Sequence, residues 1–280
     1  MPKFTSFDFA VEDAVGRITL NNPAKRNALG AAFWPEIREV FGQLGEMPEV
    51  RAVVIASEGP HFTAGIDLAL LGIILDADSE IEGARRRERL RRTVLNLQES
   101  FNVLEGAHVP VLAAVQGGCI GGGVDMITAC DMRYCTQDAF FVIKEIAVGM
   151  TADLGTLQRL PQIIPEGLAR ELAYTGRSLT AQEAGECGLV NAVLPDHKAL
   201  LEHVMGIAKS IAGHSPLAVA GTKEMLNYRR DHSLADSLNY MATWQAGMFL
   251  SDDLREAAQA AQAKREPVFD GLKLSTGLFE

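Results

Sequence analysis

The chain has 280 residues, 48% of them hydrophobic, and a formal net charge of −10. A chain of this length and apolar content builds a sizeable core, which excludes disorder, and its longest apolar runs, such as "VPVLAAV" at 109–115, fall far short of the roughly 20 residues that a membrane span needs. The acidic balance argues against a nucleic-acid partner, yet leaves room for a small anionic ligand that meets a local positive patch.

The first residues, "MPKFTSFDFAVED", mix acids with aromatics and lack the order of a signal or transit peptide, so a cytoplasmic protein is expected. Segments "FTSFDFAV" and "AVGRITLNN" alternate as two strands of a hairpin around Glu12 and Asp13. A helix over about 30–45 ends near Gly45 and Pro48, and "RAVVIAS" at 51–57 reads as a buried strand. A helical stretch over about 80–106 follows, in which Leu90, Val94, Leu97 and Phe101 fit one apolar face. Its six arginines in "ARRRERLRR" then form a solvated or subunit-contact face rather than an RNA-binding patch. "VPVLAAVQ" is the next strand. Short strands near 131–135, 139–143 and 189–194 alternate with helices near 123–129, 154–160 and 165–174, and residues 196–263 are almost all helix. The alternation predicts an α/β core over 1–195 followed by a helical region over 196–280, with no linker and no fixed-period repeat. Four cysteines, Cys119, Cys130, Cys135 and Cys187, form no C-x-x-C pair and read as reduced, buried thiols. The histidines show no metal spacing, so no metal site is expected.

The stretch "GGCIGGGVDMITACD" at 117–131 sets five glycines before an apolar helix that carries Asp125. It lacks the G-x-G-x-x-G order, no G-K-[ST] follows, and no serine stands between the glycines as in a nucleophile elbow. Glycines at a helix start let a ligand approach backbone N–H groups, whose unpaired donors and helix dipole favour negative charge; that is oxyanion-hole chemistry. A second donor is then needed. The stretch "GPHFTAGIDLALL" at 59–71 follows a buried strand and again sets small residues, Ala64 and Gly65, before a helix. Taken singly, each stretch reads first as a tight turn with close helix packing.

Together, "NNPAKRNAL" at 21–29, "HFTAGIDL" at 61–68 and "AAVQGGCIGGGVDMITACDMRYC" at 113–135 resemble the enoyl-CoA hydratase/isomerase (crotonase) family. The resemblance runs from about residue 10 to 270, more loosely in the helical tail. It implies an α/β crotonase (ClpP-like) spiral fold with a helical C-terminal region for trimerisation or as a lid. It also implies an acyl-CoA substrate whose thioester oxygen is held by the N–H groups of Ile66 and Gly122, with the glycines clearing space for the thioester. Ala64, Gly65, Asp67, Leu68 and Gly123 would line that substrate, and Asp125 lies one helical turn from Gly122. Lys25, Arg26 and Lys264 are expected at the phosphates and adenine end of coenzyme A, although each alone reads as a solvated charge. Coenzyme A belongs to the substrate, so no separate cofactor is expected. The resemblance further implies a homo-trimer or homo-hexamer, in which Met225, Met241 and Met248 would cover a subunit interface rather than pack in a core.

Three acids fall in the segments around the acyl group: Asp125, Glu145 in "FFVIKEIAVGM" and Asp153 in "TADLGTLQRL". Each also has a plain structural reading, as a buried ion pair, a solvent-facing residue beside Lys144, and a helix N-cap respectively. Hydratases of the family carry glutamates at the positions matching 125 and 145 and no acid at 153. The shorter Asp125 and the added Asp153 resemble instead the dienoyl-CoA isomerase branch, in unsaturated fatty-acid β-oxidation. That resemblance implies Asp153 as the base at C2 and Glu145 as the acid at C6, with Asp125 shaping the pocket or its protons. To donate at neutral pH, Glu145 needs a raised pKa, expected from the apolar flank of Phe140, Phe141, Ile143, Ile146 and Val148. Leu70, Leu71 and Ile74 are expected to set pocket depth. The alternatives are a hydratase adding water to a 2-enoyl-CoA and a non-catalytic RNA-binding or scaffold protein that keeps only the fold.

Overall fold

The structure, a computed structural model, describes residues 3–70, 72 and 82–274. Leu71, Ile74 and the expected helix start at 80–81 lie outside the described residues. In chain order the strands are β1 (Phe7–Glu12), β2 (Val15–Leu20), β3 (Ala52–Ser57), β4 (Val111–Val115), β5 (Gly118–Ile120), β6 (Met132–Thr136), β7 (Phe140–Val142), β8 (Leu179–Thr180) and β9 (Ala192–Leu194). The named helices are α1 (Phe33–Gln43), α2 (Gly83–Glu105), α3 (Gly122–Thr128), α4 (Thr156–Arg159), α5 (Glu166–Thr175), α6 (Ala181–Glu186), α7 (His197–Ala212), α8 (Pro216–Tyr228), α9 (Leu234–Met248) and α10 (Asp252–Ala263).

A six-stranded sheet runs β1-β2-β3-β4-β6-β9. Its β1–β2 hairpin is antiparallel and every later pairing is parallel. The hairpin closes through Asp13 and Ala14, both at positive φ, as a tight two-residue turn requires. Strands β3 and β4 are buried along their whole length, which is why their sequences are continuous apolar runs rather than alternating ones. Successive residues serve opposite faces. Val53, Ile55, Val111 and Ala113 pack with Phe33, Ile37, Phe101 and Leu104 of α1 and α2, while Ala52, Val54, Leu112 and Ala114 meet Leu200, Val204 and Ala208 of α7.

The structure corrects the sequence reading at several elements. Residues 118–120, read as part of a glycine-rich tight turn before the Asp125 helix, form β5, the edge of a three-stranded sheet β5-β7-β8. Its neighbour β7 supplies the order that local propensity does not. The apolar face of α2 begins later than expected. Leu90 is exposed, no residue before Ser100 is buried, and the arginine-rich end projects outward, with Arg85 pairing with Glu82 and Arg91 and Arg92 with Glu88. No residue of α9 is buried, and Met241 and Met248 are exposed in the single chain, so neither packs in a core. Among the described residues no helix is long and apolar enough to cross a membrane.

Candidate active site

The loops that leave the carboxyl ends of β3 and β4 build the site, the usual place for ligands in parallel sheets. Three segments run side by side there. Leu29 bridges to Ile66, and Thr63 bridges to Cys119, both in parallel. In the first bridge the Leu29 N–H donates to the Gly65 carbonyl and the Asp67 N–H to the Leu29 carbonyl, at 2.8 and 3.1 Å. The Ile66 N–H therefore faces the other way, toward Gly122. An ideal Cβ on Gly122 would stand 3.8 Å from the Ile66 nitrogen, and one on Gly65 would stand 3.5 Å from the Gly122 nitrogen. Neither amide donates to an acceptor among the described residues. Two main-chain donors are thus left adjacent and unpaired, the condition for binding an oxyanion.

Two of the glycines serve this approach of backbones. Gly65 (φ +88°) lets the first arm reach the Ile120 carbonyl, since a Cβ there would lie 2.7 Å from its oxygen. A Cβ on Gly123 would collide with the Thr63 side chain, so this glycine lets the two arms meet.

Sequence reasoning missed the side chains that hold the arms in register. Buried Asn27, itself at positive φ, donates from Nδ2 to the carbonyls of Glu58 and His61 at 2.8 and 2.9 Å and accepts the Asn22 N–H at 2.9 Å. Thr63 Oγ1 donates to the Asn27 carbonyl at 2.6 Å and accepts the Gly65 N–H at 3.1 Å. His61 Nδ1 accepts the Gly118 N–H at 3.0 Å, tying one arm to the other. The only sequence signal was that polar Asn27 and Thr63 stand among small residues inside the quoted motifs.

The three acids converge on α3. Asp125 is 1% exposed and accepts the Thr156 N–H at 2.7 Å, and it forms no direct ion pair among the described residues. Burial pushes its pKa up to about 6, helped by the charge of Asp153 and opposed by the Thr156 hydrogen bond and the charge of Arg159. Glu145 opens the 3-10 turn Glu145–Val148, and its Oε1 lies 3.0 Å from where a Cβ on Gly121 would sit, beside the Gly122 amide. Burial, then the charges of Asp125 and Asp153, raise it to about 7. The expected flank explains only part of this, because Ile146 and Val148 are exposed. Asp153 is half-buried and does not cap the following helix, whose N-cap is Gly155. Its pKa is raised by burial, against a backbone hydrogen bond of its own that lowers it. The negative charge of Asp153 favours the protonated forms of both neighbours.

The remaining candidates divide. Ala64 donates to the Arg26 carbonyl at 2.8 Å, so Arg26 fixes the arm through its main chain while its side chain is exposed. Lys25 and Asp67 line a groove with Asn27 and Leu29, their charges 3.9 Å apart. Asp67 also accepts the Ala69 N–H at 3.0 Å, as a helix-starting residue does. Leu68 is exposed and Leu70 half-buried. Lys264 is not joined to the site by any described contact: it ends α10 at positive φ and bonds within its own helix.

Raised carboxyl pKa values have a thermodynamic sign. Glu145 and Asp125 bind protons more tightly in the folded chain than in the unfolded one, so their contribution is fully present below about pH 4 and is lost as pH rises through 6 and then 7. Glu145→Gln removes the need to ionise. Its melting temperature, relative to the parent, rises by a few degrees near pH 8 and by clearly less near pH 5; an equal effect at both contradicts the raised pKa.

Comparison with known proteins accords with this geometry. The family profile described as "Enoyl-CoA hydratase/isomerase" matches residues 10–272. The mitochondrial Delta(3,5)-Delta(2,4)-dienoyl-CoA isomerase of Homo sapiens is 47% identical over 89% of this chain and 76% of its own. The peroxisomal protein of that name from Arabidopsis thaliana is 43% identical over 92% and 93%. Among solved structures, a putative enoyl-CoA hydratase from Streptomyces coelicolor A3(2) superposes with a TM-score of 0.88 at 27% identity, covering 97% of this chain and 96% of that one.

Proposed function

Since the chain belongs to the enoyl-CoA hydratase/isomerase family, we propose that it is an isomerase that converts 3,5-dienoyl-CoA esters to their 2,4-isomers in unsaturated fatty-acid β-oxidation. The observation that carries this reading is Asp153, a carboxyl that does not cap the helix after it and whose charge acts on both Asp125 and Glu145, the latter beside the Gly122 amide. A hydratase needs a carboxyl pair to handle one water. Moving two conjugated double bonds needs a base at one end of a flat dienolate and an acid at the other.

The Asp153 carboxylate takes the proton from C2, and the electrons of that C–H bond flow into the thioester carbonyl, whose oxygen accepts from the Ile66 and Gly122 amides. As the dienolate collapses, C6 takes the proton of Glu145, which is held by burial near a pKa of about 7 and is substantially protonated at neutral pH. Asp125 raises the pKa of Glu145 by its own charge and receives the Thr156 amide, which keeps the segment bearing Asp153 in place. After turnover Asp153 holds a proton and Glu145 lacks one, and solvent exchange restores both.

Lys25 at the groove beside Leu29 would meet the phosphates of coenzyme A, which is part of the substrate; no further cofactor is proposed. Exposed Leu234, Leu238, Met241, Met248 and Phe249 on and just after α9 support a trimer or hexamer that covers this face. Four unpaired cysteines support a reducing compartment, and we place the protein in the cytoplasm, although the two isomerases above are named as mitochondrial and peroxisomal.

Turnover of a 3,5-dienoyl-CoA ester in deuterated water tests this directly. The product should carry deuterium at C6 and absorb as a 2,4-dienoyl thioester. Transfer of the substrate's own C2 proton to C6 overturns the two-acid scheme, and water addition to a 2-enoyl ester without dienoyl turnover identifies a hydratase.

A further inference from the structure

Beside the buried Phe101 and Leu104, α2 carries a second, polar stripe. Gln98, Asn102 and Glu105 are spaced i, i+4 and i+7 and so share one flank of the helix. All three grip the segment 153–159. Gln98 Nε2 donates to the Asp153 carbonyl at 2.6 Å. Asn102 Oδ1 accepts from Arg159 Nη2 at 2.8 Å, and Glu105 Oε2 accepts from Arg159 Nε and Nη2 at 2.9 and 2.8 Å. Both partners of that ion pair are largely enclosed, with side chains 14% and 25% exposed. Between the grips lie Asp153 and the Thr156 N–H that Asp125 accepts. Gly155, at φ +124°, makes room for the guanidinium, which any Cβ there would strike. Behind the stripe, Glu105 is itself fixed: its carboxylate pairs with Arg230, and its carbonyl accepts Asn227 Nδ2 at 3.0 Å.

The geometry points to Arg159, held by Asn102 and Glu105 of α2 while Gln98 holds the Asp153 carbonyl, as the positioning residue for the carboxyls. It sets where Asp153 stands relative to the paired amides and supplies the positive charge that Asp125 feels. This rests on the isomerase reading and extends it to residues that touch no substrate. The titratable and charged groups around Asp125 are Asp153, Glu145, Arg159 and the buried Cys119 thiol, and Arg159 is the sole cation among them. An ammonium would keep the charge but not the fork that holds Glu105 and Asn102 together.

The test compares Arg159→Gln, Arg159→Lys and Gln98→Ala in the full chain, reading kcat, KM, melting temperature and the Asp125 carboxyl titration by carbon-13 NMR. Arg159→Gln lowers kcat by roughly tenfold to 100-fold with KM within about threefold, as small misplacement of a reacting group does, and moves the Asp125 midpoint to higher pH. Arg159→Lys restores the midpoint while kcat stays reduced. An unchanged midpoint in Arg159→Gln, or kcat that falls only in step with the folded fraction, overturns the inference. If Arg159→Gln does not fold, Gln98→Ala decides: lower kcat at constant KM supports the clamp, and parental kcat overturns it. Should the parent chain fail to turn over a dienoyl ester, the isomerase reading falls, and the Asp125 midpoint still judges the clamp.

Discussion

Asp153→Asn lowers kcat on a 3,5-dienoyl-CoA ester by roughly 10²–10⁴-fold, the usual contribution of a positioned base, and leaves KM within a few-fold. Asparagine keeps the shape and cannot accept the C2 proton. Two losses reinforce each other. The charge of Asp153 is one of the causes that hold Glu145 near a pKa of about 7. Without it Glu145 keeps less of its proton at neutral pH, so acid and base weaken together, and the alkaline limb of the residual activity shifts to lower pH. Hydrogen exchange at C2 in deuterated water separates the two effects, because it needs the base and not the acid. A variant that still exchanges C2 at the parental rate places the base elsewhere.

The elements that carry the site were legible where one local rule decided them. Strands β3 and β4 are uninterrupted apolar runs, and only strands buried on both faces read that way. Asp125 and the glycine triplet stood out because an acid inside an apolar helix and three consecutive glycines both conflict with ordinary packing. What escaped was long-range. Strand β5 owes its conformation to β7, some twenty residues on, so Gly118 and the glycines that flank the strand gave the wrong local signal. Asn27 and His61 act through carbonyls and amides more than thirty residues away, and no periodicity announces such bonds. Asp153 preceded a helix in a position that suits a cap, and only the backbone showed that the cap is Gly155. The expected flank of Glu145 failed for a related reason. Ile146 and Val148 belong to a single 3-10 turn, too short to turn every apolar neighbour toward the acid.

Gly65→Ala lowers kcat and kcat/KM together by roughly 10²–10³-fold, the cost of removing one oxyanion donor, although it adds a single methyl group and deletes no hydrogen-bonding atom. Gly65 holds φ +88°, where an L side chain is strained, and its new Cβ would meet the Ile120 carbonyl oxygen at 2.7 Å. That oxygen is backbone, part of the chain that leads into Gly122, and it has no rotamer to yield with. The arms must part between the Thr63–Cys119 bridge and the Leu29–Ile66 bridge, and the Ile66 amide leaves the point it shares with Gly122. Ground-state affinity is spread along the whole coenzyme, so most of the loss falls on the charged transition state. Gly42→Ala in α1 is the control, since its Cβ meets nothing within 4 Å and parental activity is expected. The infrared stretch of a bound thioester carbonyl reads the cause: the shift to lower frequency in the parent shrinks in Gly65→Ala and persists in Gly42→Ala. A Gly65→Ala enzyme with kcat within about twofold of the parent would falsify the assignment of these two amides as the oxyanion donors.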